Sequence, residues 1–100
     1  MKQQAVVLNE KDNVATALTP LKKGQTLELV IGEKKYRLVL NEDIPFGHKF
    51  CLKRIKTGSP VIKYGEVIGN ATANINAGDY VHVHNVVSAR GRGDLNEVEK

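Results

Sequence analysis

Ile44-Pro45-Phe46-Gly47-His48-Lys49-Phe50 carries the pattern from which the fold is read. An aliphatic residue, two others, a glycine, two others and an apolar residue describe a tight turn. The glycine takes a positive φ without steric cost, and the flanking apolar residues pin the turn to a core. The same pattern recurs at Leu21-Lys22-Lys23-Gly24-Gln25-Thr26-Leu27, Ile55-Lys56-Thr57-Gly58-Ser59-Pro60-Val61 and Ile75-Asn76-Ala77-Gly78-Asp79-Tyr80-Val81. The copies are irregularly spaced, so they are recurrent corners and not a solenoid repeat. Many short strands joined by such corners predict a compact, folded-over β-structure.

Outside the corners, Ala5 to Leu8 is a Val-rich apolar run that reads as a strand, followed by the polar turn Asn9-Glu10-Lys11-Asp12. Val14, Ala17 and Leu18 recur at helical spacing, Asp12 is placed to cap an N-terminus, and Thr19-Pro20 ends the segment. One short N-terminal helix of about two turns is therefore expected. Thr26–Ile31 and Lys35–Leu40 predict a hairpin around Gly32-Glu33-Lys34, and Val61 to Gly69 is β-rich with bends at Gly65 and Gly69. The glycine-rich stretch from Ser88 reads as a flexible exit, dividing the chain into a β-domain over 1–88 and a tail or linker over 89–100.

A chain of 100 residues makes one small domain that buries only about 60 to 70% of its unfolded surface, so a complete active site built from it alone would be unusual. The net charge of +4 is scattered over pairs such as Lys22-Lys23 and Lys34-Lys35, which read as solvated turns. With two Phe, three Tyr and no Trp there is little to stack on bases, so nucleic acid is not an expected partner, whereas an anionic small molecule stays open. No apolar run approaches the roughly 18 residues of a membrane span, and no signal peptide is read at the start. Cys51, the single cysteine, excludes an internal disulfide and fits a cytoplasmic protein; within Phe50-Cys51-Leu52 it reads as a packed residue.

Chemistry concentrates at Val81-His82-Val83-His84-Asn85. Read as a strand, this places Val81 and Val83 on a core face and His82 and His84 on the other, about 6 to 7 Å apart, near enough to converge on one ligand or metal. The third histidine, His48, shares strand phase with Phe50 and Leu52, which makes it buried and hydrogen-bonded unless the turn rotates it outward. Lys63 and Tyr64 sit at a strand end beside Gly65.

Asp43 to Phe50, Val61 to Gly69 and Val81 to Asn85, in that order, resemble the small SAF domain of the altronate and galactarate dehydratase family, and also the small subunit of sulfolactate sulfo-lyase. The resemblance implies a mostly β, β-clip fold of short strands, and a small subunit or N-terminal domain of a sugar-acid hydro-lyase that works with a large catalytic subunit and is inactive alone. It implies removal of water from a sugar acid, with divalent iron or another metal in the assembled enzyme. Taking a proton from the carbon beside a carboxylate builds negative charge that needs cations and a base. On that footing His48, His82 and His84 are candidate catalytic residues, His82 and His84 candidate metal ligands, and Lys49, Lys63, Tyr64 and Asn85 candidate substrate-binding groups. A carbohydrate- or anion-binding or assembly module without turnover is the alternative.

Overall fold

The computed structural model describes residues 4–88, and the tail proposed for 89–100 lies outside the described residues. All four corners form as the pattern predicts. The residue after each glycine closes the turn, with N–H donors at Gln25, His48, Ser59 and Asp79 reaching the carbonyls of Lys22, Pro45, Lys56 and Asn76 at 2.9 to 3.1 Å. Gly24, Gly47, Gly58 and Gly78 have φ of +87°, +83°, +87° and +92°, the third-position geometry of a type II turn.

The corners also come in pairs. Leu21 and Ile44 exchange two backbone hydrogen bonds at 2.9 Å, and Ile55 and Ile75 exchange two at 2.8 Å. Between the members of each pair runs a hairpin: β3 (Thr26–Ile31) with β4 (Lys34–Val39), and β6 (Pro60–Lys63) with β7 (Glu66–Ala71). The same unit of strand, corner, hairpin and corner is thus laid down twice. Ala17 bonds to Gly47 and His48 in the first copy as Cys51 bonds to Gly78 and Asp79 in the second.

The units share a four-stranded antiparallel sheet in the order β1 (Ala5–Val6), β2 (Val14–Ala17), β5 (Lys49–Cys51), β8 (Tyr80–Val81). The final strand β9 (Val86–Ser88) pairs with β7. Because strand side chains alternate, this central sheet feeds two cores. Phe50 packs with Leu21, Leu27, Leu38, Leu40 and Ile44, while its neighbour Cys51 packs with Val14, Ile55, Val61, Ile75 and Val81.

The helix expected after Asp12 is not formed; the segment is β2, and among the described residues there is no helix, hence none long and apolar enough to cross a membrane. The physical reason is that β2 is buried on both faces, Val14 facing one core and Ala15 the other, which erases the period-two signal. Asp12 accepts from the Gly65 N–H at 2.8 Å instead of capping a helix. Asn13 ties the units together: its Oδ1 accepts from the Ile62 N–H at 2.7 Å, and its Nδ2 donates to the Pro60 carbonyl at 3.0 Å. The first hairpin turns on two residues, Gly32-Glu33, since Ile31 pairs with Lys34, one residue tighter than expected.

The corners differ in how closely they are packed. A Cβ on Gly58 would meet nothing within 4 Å, whereas one on Gly78 would run into the Val39 carbonyl oxygen. We therefore expect Gly58→Ala to cost roughly 1 to 2 kcal/mol from its positive φ alone, and Gly78→Ala to cost at least about 3 kcal/mol by adding overpacking. Urea unfolding of the two variants checks this, and equal losses would contradict it.

Candidate functional site

His48 follows Gly47 at the second corner and is half-buried. Tyr80 follows the fourth corner, on β8, directly opposite Phe50 of β5. The pairing brings the Tyr80 hydroxyl to 2.6 Å from His48 Nδ1. The expected strand over 81–85 stops at Val81, and the chain turns back as the Asn85 and Val86 N–H groups both reach the His82 carbonyl at 3.1 Å. Val83, expected on a core face, is 81% exposed at the tip of that turn.

Asn85 is the cause. Its Oδ1 accepts from the His82 N–H at 3.0 Å and its Nδ2 donates to the Tyr80 carbonyl at 2.8 Å, the local side-chain bonding that makes asparagine a turn residue. Buried and engaged in this way, it holds the loop that carries the histidines.

The three imidazoles still meet, around a residue the sequence reading passed over. The His82 ring lies parallel to Tyr80, with centroids 5.5 Å apart and 6° between planes. His84 and His48 each stand 5.7 Å from Tyr80 at tilts of 45° and 42°, and His48 is 5.1 Å from His82. The period-two phase of Tyr80, His82 and His84 was the signal that could have found Tyr80.

His82 also lines a cleft of about 390 Å³, together with Lys49, Lys63, Ile68, Val81, Val83, Val86 and Ser88. Burial, and then the positive charge of Lys63, pull the Lys49 ammonium below its ordinary range. Among the described residues neither lysine pairs with a carboxylate, the ion pair there being Arg37 with Glu28 at 3.9 Å on the first hairpin. Two cations lining one open cleft suit an anion. Tyr64 stands at the tip of the second hairpin with φ of +56°, unusual for a bulky residue, and Lys63 Nζ lies 4.9 Å from its ring centroid. It is 44% exposed and is not among the residues that line the cleft.

Among the described residues, no group of three or more His, Cys, Asp or Glu side chains is gathered as a metal site would need. His82 and His84 are thus at most a partial set, and a metal on them would require ligands from elsewhere. Cys51 is fully buried and its thiol is pushed up to about 12, mainly by burial, which leaves no thiolate at neutral pH and keeps it a packing residue.

Fold and site together define a small β-module that carries its polar chemistry on an open rim. Residues 3–89 match the altronate/galactarate dehydratase SAF domain, and the chain belongs to that family. It is 42% identical over 82 residues to altronate dehydratase of Escherichia coli (strain K12), and 35% identical over 80 residues to altronate dehydratase of Bacillus subtilis (strain 168). These matches cover 82% and 80% of this chain but only 16% and 15% of those relatives' lengths. It is also 46% identical over 55 residues to (2R)-sulfolactate sulfo-lyase subunit alpha of Paracoccus pantotrophus, covering 55% of this chain and 82% of that subunit.

The lysine pair yields a direct test. The unfolded chain binds the Lys49 proton more tightly than the folded one, so stability contributed at this site rises as pH climbs through the lowered Lys49 value towards the ordinary lysine range. Removing the neighbouring charge with Lys63→Met should move the Lys49 titration upward, observed on its side-chain NMR signals. An unmoved titration would mean that the two ammonium groups do not sense each other.

Proposed function

We propose that this chain is the small subunit or domain of a sugar-acid lyase, placing imidazole and ammonium groups at the edge of an active site that a larger chain or domain completes. The observation that carries this is the convergence of His48, His82 and His84 around Tyr80, beside a cleft lined by two lysines that pair with no carboxylate among the described residues. That a domain of this family matches only about a sixth of the altronate dehydratases supports a large catalytic partner.

In this reading Lys49 and Lys63 hold the substrate carboxylate. As a proton leaves the adjacent carbon, negative charge grows on the carboxylate oxygens, and fixed ammonium groups stabilise it more in the transition state than before. The histidines serve the two proton movements, removal from carbon and delivery to the departing hydroxyl, and His82 is placed between the lysine cleft and the other rings. Tyr64 at the hairpin tip offers its hydroxyl to a substrate hydroxyl, whereas Asn85 acts through the loop it holds. A divalent metal in the assembled enzyme would add Lewis-acid stabilisation, and we assign most of its ligands to the larger partner, because these residues do not make a complete set.

Purified alone, the chain is expected to show no dehydration of altronate or galactarate. Reconstituted with the large chain and assayed on altronate, galactarate and sulfolactate, it should restore turnover. Changing His82 and His84 together to Ala should lower that turnover by roughly 100-fold or more with the fold retained. Turnover by the small chain alone would contradict the need for a larger partner, whereas wild-type kinetics in the double variant would remove these residues from the chemistry and leave a binding or assembly module.

A further inference from the structure

Tyr80 was not among the residues singled out by sequence, yet it touches all three imidazoles, and its hydroxyl lies 2.6 Å from His48 Nδ1. A neutral imidazole carries one proton on one of two nitrogens, and the hydrogen bond at one nitrogen decides the state of the other. Two arrangements satisfy the distance: the phenol donates to a bare Nδ1, or an Nδ1–H donates to the phenol oxygen. Phenol is a much stronger acid than a neutral imidazole N–H, and a bare imidazole nitrogen is a much better acceptor than a phenol oxygen. Donation from the phenol is the favoured direction, and a bond as short as 2.6 Å suits an O–H donor.

We infer that Tyr80 is a positioning residue that fixes His48 in the tautomer with its proton on Nε2, so that the nitrogen neutral His48 keeps for any other partner is an N–H donor and not a bare nitrogen. The same ring holds His82 in parallel contact, so one side chain from the fourth corner orients imidazoles delivered by two different segments. The consequence for chemistry, which rests on the functional reading above, is a division of labour. Neutral His48 is suited to donating a hydrogen bond to a substrate oxygen, and the base that takes the proton from carbon is sought among His82, His84 and the larger partner. Tyr80 acts through His48 and His82 and is not itself assigned a step.

The test begins with the wild-type 100-residue chain and long-range proton–nitrogen NMR at a pH where His48 is neutral. The expected result is a His48 Nδ1 resonance in the unprotonated range and Nε2 in the protonated range. An Nδ1-protonated ring, or an even mixture of tautomers, would overturn the inference without any variant being made. In Tyr80→Phe, which keeps the ring and so the contact with His82, the His48 signals should move towards a mixture of tautomers; unchanged signals would also overturn it. In the reconstituted lyase the same variant should lower kcat by roughly 10- to 100-fold with little change in KM. If the NMR result is as expected and kcat is nevertheless unaffected, the tautomer assignment stands and the placement of His48 in the active site fails.

Discussion

The structure depends on the pairing of its corners. Leu21 with Ile44, and Ile55 with Ile75, each exchange two backbone hydrogen bonds beside a glycine of positive φ, so each hairpin is bent back sharply at both ends of its stem. That constraint puts β5 and β8 side by side, with Phe50 facing Tyr80 and Lys49 facing Val81. The residues immediately beyond Gly47 and Gly78 therefore meet, and they include His48 and Tyr80. The site is a by-product of the same turns that close the two cores. Chemistry on the rim needs no side chain at the centre of either core.

Much of this was legible in the chain. Four glycines at matched positions announced the corners, because few residues tolerate the required φ, and each corner carried its own aliphatic anchors. The alternation in Thr26–Ile31 marked a strand exposed on one face. What stayed hidden at β2 was the effect of long-range packing. Val14 and Ala15 are buried together because β2 lies between two cores, and a strand without an exposed face shows no alternation. Val14, Ala17 and Leu18 then fell by chance at helical spacing, although Leu18 is 40% exposed.

The candidate site shows the same division. Three histidines in a chain of 100 residues were easy to single out, and the structure gathers them. The way they are gathered was not legible. Alternation along Val81 to His84 suggested a strand, but the Asn85 side chain engages the backbone of Tyr80 and His82 and ends it. Tyr80 entered the sequence pattern only as a member of the fourth corner; the proximity of β5 makes its hydroxyl a partner for His48. Lys49 and Lys63 are 14 positions apart and become neighbours through the fold, which is why their mutual effect on protonation has no sequence signature.

The central claim is spatial: one phenol ring organises three imidazoles from two parts of the chain. Nuclear Overhauser contacts between the Tyr80 ring protons and the ring protons of His48, His82 and His84, in the chain free in solution, test it most directly. With ring centroids 5.5 to 5.7 Å apart, cross-peaks from Tyr80 to all three imidazoles are expected. A well-folded chain whose Tyr80 shows contacts to none of them, or to His82 alone, would contradict the account.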